Sequence, residues 1–449
     1  MRLLSFTLIL VTCHLPLTAG AQPNLIYIMA DDLGYGDLGC FGQKQIQTPN
    51  LDKLATEGMK LTSFYSGCTV CRPSRLSLWT GKHMGHTPIW SNAKYQFENN
   101  EPTIPELLKT RGYATGGVGK WAMGGIGTPG HPNKNGFDFW FGYLDQSEAH
   151  NYYPTHLWRN RTKVPLPGNV LSDNPQARGR VATKRTTWSH TKMTGAALDF
   201  VRTNANKNPF LLHLHCTVPH ANNEGGRVTG DGMEVPDHGI YADRDWPSTA
   251  KGQAQMVSQL DADIGKLIAL LRQLDIAENT LVIFTSDNGP HSEGGHKHEF
   301  FDANGPLRGY KRDLYEGGIR VPAIAWRPGY VPAGTTNDTP LAFWDVLPTF
   351  CELAGAEPTG DTDGLSFTSV LTGAASELAN RPLFWRYQKK SALRLGPWKA
   401  VRLAPDQPLE LYNLSTDIGE TTNVATQNPE IAKKLANLMA TSVSNPTIP

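Results

Sequence analysis

Two cysteines three residues apart, Cys68 and Cys71, stand in the stretch SGCTVCRPSRLSLWTGKH, which runs from Ser66 to His83. Cys71 is followed by Arg72, Pro73, Ser74 and Arg75, and then by an apolar run. Proline is favoured at the first helical position, so the spacing predicts a helix from Pro73 with Cys71 at its positive end. That helix end and the two arginines would favour an anion and lower the thiol pKa. A Cys68–Cys71 disulfide is tightly restricted by geometry. A zinc clip lacks its second pair of ligands. A thioredoxin-type Cys-x-x-Cys remains open, although its usual βαβ context is absent.

Two dipeptides supply oxygen atoms: Asp31-Asp32 in NLIYIMADDLG, and Asp287-Asn288 in NTLVIFTSDNGPH. Oxygen-only ligands suit a hard cation, Ca²⁺ or Mg²⁺, whereas zinc would want more His or Cys. Either dipeptide alone is more readily a turn or helix cap. Lys120 in GYATGGVGKWAMGG and His220 in PFLLHLHCTVPH complete a set of ionisable residues, each at the end of a short apolar run.

These runs, with IRVPAIAWRPG as a fifth, read as buried parallel strands. Helical spacing lies between them. In QAQMVSQLDADIGKLIALLRQL the apolar positions are Met256, Leu260, Ile264, Leu267 and Leu271. TPNLDKLATEG and PTIPELLKTRG each start near a proline and stop at a glycine. The alternation predicts an α/β fold, a parallel sheet with helices on both faces. Ligands in such sheets bind beyond the carboxyl ends of the strands, where the polar residues fall.

The chain has 449 residues with 39% hydrophobic and 18% charged, enough for one large α/β domain with a smaller companion. Arg2, an apolar run from Leu3 to about Leu17, and Ala19-Gly20-Ala21 read as a signal peptide over residues 1–21. The apolar run is too short for a transmembrane anchor, and LVTC at Cys13 is a poor lipoprotein box. The expected product is exported, periplasmic or extracellular. Lys+Arg number 42 against 41 Asp+Glu. Loss of Arg2 makes them equal, so no global field favours nucleic acid or an acidic membrane. Loss of Cys13 leaves Cys40, Cys68, Cys71, Cys216 and Cys351, an odd number and too few for a disulfide scaffold. Asn160, Asn337 and Asn413 fit the glycosylation pattern.

CRPSRLSLWTG, Cys71 to Gly81, resembles the signature of the type I sulfatases of the alkaline phosphatase superfamily. In that family a maturation enzyme oxidises the cysteine to formylglycine. MADDLGYGDLG resembles the first metal segment of the family, TSDNGPH its second, and GPLRGYKRDLYEGGIRVP the segment with a sulfate-binding lysine, here Lys311. DGLSFTSVLTG, ALRLGPWKAVR and ELYNLSTDIGETTNVA resemble its C-terminal part. The resemblance implies an α/β/α sandwich over residues 22–375. A smaller C-terminal α+β domain would follow over 376–449, with an antiparallel sheet and a last helix near Pro429–Ser442.

It further implies hydrolysis of an organic sulfate ester, by preference on a sulfated carbohydrate. One hydroxyl of hydrated formylglycine attacks sulfur; the other then expels sulfate. By position, Asp31, Asp32, Asp287, Asn288 and modified Cys71 would hold Ca²⁺, or Mg²⁺. Asp287 could also take a proton. Arg75 and Lys120 would support the formylglycine. Lys311 and His220 would grip the sulfate, with His220 as the acid for the leaving oxygen. Many relatives read Gly-Lys-Trp-His where this chain has Gly119-Lys120-Trp121-Ala122. His150 is the candidate replacement, with His83 or His86 as alternatives. Arg72 is expected to face solvent and Glu316–Arg320 to pair structurally. Aromatic loops HNYYPTHLW and YADRDW are expected to border a sugar or to pack. A phosphonate or phosphate ester hydrolase and a non-catalytic glycan-binding relative are the competing readings.

Overall fold

The computed structural model describes residues 22–98, 102–358 and 360–443. The expected leader lies outside the described residues.

In chain order the strands are β1 (Asn24–Ala30), β2 (Met59–Tyr65), β3 (Ala114–Lys120), β4 (Phe139–Tyr143), β5 (His156–Arg159) and β6 (Thr162–Pro165). A small ribbon of β7 (Val170–Leu171) and β8 (Ala182–Lys184) follows. Then come β9 (Phe210–His215), β10 (Thr280–Ser286), β11 (Arg320–Trp326), β12 (Thr335–Asn337) and β13 (Leu341–Ala342). The main sheet has the order β12-β2-β11-β10-β1-β9-β3-β4-β5-β6, with β13 also paired to β2. Its centre, β10-β1-β9-β3-β4, is parallel.

The helices are α1 (Pro49–Glu57), α2 (Cys71–Thr80), α3 (Ile104–Lys109), α4 (Ser189–Asn204), α5 (Asn223–Thr229), α6 (Ser248–Gln273), α7 (Glu316–Ile319), α8 (Val346–Ala354), α9 (Thr368–Leu371) and α10 (Pro429–Thr441). Side chains alternate across β1, as the strand period requires. Ile26 and Ile28 join a core with α1, α4 and α6. Leu25, Tyr27 and Met29 join another with α3, α8 and α9. The sheet is therefore covered on both faces, the expected α/β/α sandwich. A C-terminal antiparallel sheet of β14 (Leu383–Tyr387), β15 (Lys390–Leu395), β16 (Trp398–Arg402) and β17 (Glu410–Asn413) packs on α10 through Leu435 and Met439.

One expected strand runs the other way. β11, the IRVPAIAW segment, is antiparallel to both β10 and β2. A parallel return needs a long crossover, usually a helix. The chain after β10 instead forms a long loop whose helical pieces are a 3-10 turn at His298–Phe301 and the four-residue α7. It re-enters the sheet from the carboxyl end. Because every residue of β11 is buried, its composition looks like that of a parallel strand.

Local sequence sets the position of Lys120. β3 reads ATGGVGK, and Gly119 has φ of 111°. A Cβ there would stand 1.8 Å from the His215 carbonyl oxygen. The glycine lets β3 bend against β9 and deliver the lysine to the carboxyl edge.

Candidate active site

α2 begins at Cys71, two residues earlier than the proline predicts, so the cysteine is the first residue of the helix. The site forms where this helix start meets the carboxyl ends of β1, β3, β9 and β10. Asp31 follows β1. Its Oδ1 lies 3.2 Å from Cys71 Sγ, and its Oδ2 lies 2.7 Å from Lys120 Nζ and 3.0 Å from Arg75 Nη2. Asp32, with φ of 66°, turns the other way. Its Oδ2 is 2.7 Å from Lys311 Nζ and 3.4 Å from His220 Nε2. Asp287 Oδ2 accepts from Arg75 Nε at 3.1 Å and Nη2 at 2.8 Å. Asn288 Nδ2 donates to Asp32 Oδ1 at 2.7 Å. Asp31, Asp32, Cys71, Arg75, Asp287 and Asn288 are all fully buried.

The electrostatics of Cys71 correct one expectation. Burial, then the carboxylates of Asp287 and Asp31, push its thiol well above the ordinary value. The neighbours in sequence are cationic, but the neighbours in space are anionic. Burial also raises Asp287 to about 7, with Asp31 crowding it. Burial lowers His220 to about 3. Its Nδ1 lies 2.6 Å from the Ala221 carbonyl oxygen. That oxygen can only accept, so Nδ1 carries the proton and Nε2 accepts from Lys311 Nζ at 3.3 Å.

His150 stands beside this group. Its ring stacks on His220 at 4.7 Å and 17°, and its Nδ1 is 3.2 Å from Glu224 Oε2. His83 and His86 instead pair with Asp363, and His83 packs on Trp344 and Phe384. Arg72 does not face solvent. Its side chain donates to the carbonyls of Asn92, Ala93 and Ala122. Cys68 and Cys71 are both free thiols. Glu316 and Arg320 do pair, at 3.3 Å, in a buried network with Lys399 and Glu420. Tyr152, Tyr153 and Tyr241 in the aromatic loops are buried packing residues. Tyr152 Oη donates to the carbonyls of Thr217 and His220, which fixes the loop carrying His220.

Three contributors escaped the sequence reading. Glu293 Oε2 accepts from Lys311 at 3.0 Å, and Arg312 pairs with the same carboxylate. His215 Nδ1 contacts Arg75 Nη1 at 3.3 Å, buttressing the guanidinium from below. The available signal for Glu293 was its place in the loop that carries Asp287.

An α/β/α sandwich whose carboxyl edge gathers three carboxylates, an amide, two lysines and a helix-start thiol is built for ester hydrolysis at a tetrahedral anion. The Sulfatase family model matches residues 23–356, and the chain belongs to that family of sulfuric ester hydrolases. It is 33% identical to N-acetylgalactosamine-6-sulfatase of Mus musculus over 442 residues, covering 91% of this chain and 78% of the mouse protein. It is 31% identical to arylsulfatase A of Homo sapiens, covering 94% of this chain and 88% of that one. Among solved structures, Ps i-CgsB in complex with k-i-k-neocarrahexaose is similar at a TM-score of 0.80 and 29% identity. The likeness covers 95% of this chain and 94% of that one. The family uses a metal ion and formylglycine. No helix among the described residues is long and apolar enough to cross a membrane.

Proposed function

We propose that this chain is an exported enzyme that hydrolyses a sulfate ester on a carbohydrate, with Cys71 as the residue matured to formylglycine. The observation that carries this is the place of Cys71: first residue of α2, buried, and 3.2 Å from Asp31 in the carboxylate cluster. The curated relative named for N-acetylgalactosamine 6-sulfate and the structure holding a neocarrahexaose support a sugar substrate.

The residues fit a hard cation. Asn288 Oδ1 is buried without a hydrogen-bond partner while its Nδ2 donates to Asp32 Oδ1, and Asp31, Asp32, Cys71 and His220 bring candidate ligand atoms within 4.8 Å of one another. Oxygen donors of this kind suit Ca²⁺, with Mg²⁺ the alternative. Asp31, Asp32, Asp287, Asn288 and the modified Cys71 would hold it. When present, formylglycine supplies a hydroxyl for attack on sulfur, and the cation supplies charge opposite the sulfate oxygens.

The chain's own residues do the rest. Arg75 ties Asp31 to Asp287 and donates to the Lys120 carbonyl at 2.9 Å, which holds the nucleophile position rigid. Lys120 places its ammonium beside Asp31. Lys311 and His220 grip the transferred group. His220 is the acid for the leaving oxygen, taking its proton at Nε2 from the Lys311 ammonium 3.3 Å away and passing it on. His150, stacked on His220 and anchored by Glu224, takes the proton-transfer role left by Ala122.

The test is mass spectrometry of the Cys71 peptide from protein co-produced with a maturase, followed by sulfate release from a panel of sulfated sugars. Conversion of thiol to aldehyde with sulfate release is expected. No conversion beside a converting control, or faster turnover of phosphonate esters than of sulfate esters, would overturn the reading.

A further inference from the structure

We propose that Arg312 is a specificity-determining residue that binds a second acidic group, a carboxylate or another sulfate, on the sugar whose sulfate is removed. The inference rests on the sulfatase reading of the site and names the charge class of its substrate.

Backbone geometry singles the residue out. Asp313 N donates to the Tyr310 carbonyl at 2.8 Å, closing a turn with Lys311 and Arg312 at its centre. Arg312 has φ of 80°, and Lys311 is not among the residues of positive φ. That is the pattern of a type II turn, whose second central position calls for glycine. An arginine there is held against its own preference. The turn is pinned from two sides. Arg312 N donates to Thr69 Oγ1 at 2.9 Å, close to Cys71 in the chain. Lys390 Nζ, from the C-terminal sheet, donates to the Arg312 carbonyl at 2.9 Å. Neither bond uses the arginine side chain, so glycine would make both. What arginine adds at this position is its guanidinium.

That guanidinium lies between the buried site and solvent. The Lys311 side chain is 2% exposed, that of Glu293 12% and that of Arg312 48%. Glu293 joins the two cations: Oε2 accepts from Lys311 Nζ at 3.0 Å, and Oε1 accepts from Arg312 Nη2. Arg312 is thus the solvent-side neighbour of the lysine that grips the sulfate under attack. Its remaining N–H donors form a fork that suits a carboxylate or a sulfate.

The charges point the same way. Among the protein's own groups the site balances. Arg75, Lys120, Lys311 and Arg312 face Asp31, Asp32, Asp287 and Glu293. A bound divalent cation adds two positive charges that no further carboxylate in this set meets. A sulfate monoester carries one negative charge, so a second acidic group on the sugar matches the other. Arg75, Lys120 and Lys311 are buried, which leaves Arg312 as the cation of the set that such a group can reach.

The experiment measures kcat/KM of the matured enzyme, supplied with Ca²⁺, on four substrates. They are a monosulfated neutral sugar, its disulfated counterpart, a monosulfated disaccharide bearing a uronic carboxylate, and 4-nitrophenyl sulfate. Wild type should prefer a doubly acidic sugar to the neutral one, and the better of the two identifies the acidic group. Arg312→Gly suits the turn, so its melting temperature should equal or exceed that of wild type. It should lower kcat/KM on the preferred acidic sugar about tenfold more than on the aryl sulfate, the loss of one charge-assisted hydrogen bond. Arg312→Lys keeps the charge without the fork and should fall between. Saturation-transfer NMR with the same acidic sugar and Cys71→Ala protein reads binding without catalysis. Adding Arg312→Gly should weaken that signal. Preference for the neutral sugar, equal losses on acidic sugar and aryl sulfate, or an NMR signal unchanged by Arg312→Gly would overturn the proposal. Failure of every sulfate ester to react would count against the proposed function, while the NMR comparison still decides Arg312.

Discussion

Cys71 is where the proposed chemistry concentrates. Cys71→Ala should lose sulfate release by about 10⁴-fold or more, as removal of a nucleophile does, with an unchanged thermal melt; single-turnover assays would check it. His150→Ala should lower kcat by about 10²-fold with little change in KM; near-intact turnover would remove His150 from the mechanism. The residues at strand ends were legible in the sequence because a buried strand that stops in Asp-Asp or Asp-Asn announces where the edge lies. Contacts across the chain were less so. Arg72 reads as a surface arginine until the loop at Asn92 and Ala93 folds over it. Glu293 reads as a loop acid until it meets Lys311. The thiol pKa went the opposite way because sequence neighbours, Arg72 and Arg75, say nothing of Asp31 and Asp287.

At the scale of elements, β3 and α7 carry the clearest consequences. Gly119→Ala places a Cβ against the His215 carbonyl at a backbone angle that favours glycine. It should shift Lys120 and cut kcat/KM more than tenfold; steady-state kinetics beside a crystal structure would check this. Around α7, Lys399 is fully buried and holds Glu316 at 2.7 Å and Glu420 at 3.4 Å. Lys399→Met leaves both carboxylates without that cation. It should cost about 3–5 kcal/mol, read as a lower urea midpoint with the slope unchanged. Helices such as α6 were legible because thirteen and more residues of apolar spacing average out local noise. β11 was legible as a strand but not in its direction, since burial on both faces erases the alternation that marks antiparallel strands. Pairing direction is set by the loop before it, and that loop is spent on the site.

At the scale of the whole molecule, buried histidines set an acid limit. Burial pushes His213 down to about 3, and burial with the charges of His291 and His298 does the same for His296. The unfolded imidazoles titrate near 6.5. Below that pH the unfolded chain takes up protons that the fold excludes. The contribution of these two histidines is therefore complete above pH 6.5 and is lost as pH falls toward 3. Each such histidine costs about 1.4 kcal/mol per pH unit through that window. Melting temperature against pH should show the decline, and His213→Phe should flatten it by one proton; an identical slope would refute the assignment.

The burial of Cys71 also has a consequence in time. The thiol is 0% exposed, and Asp287, whose carboxylate stands near it, is made long after α2. A modifying enzyme can reach the cysteine only while the chain is still incomplete or open. Under the proposed maturation, oxidation of Cys71 would be a race against closure of the sheet, and a sheet of long-range pairings closes slowly. Folded, unmodified protein should resist a maturase added afterwards, whereas the urea-unfolded chain should accept it. The protein would carry a chemical record of having been reached before it finished folding.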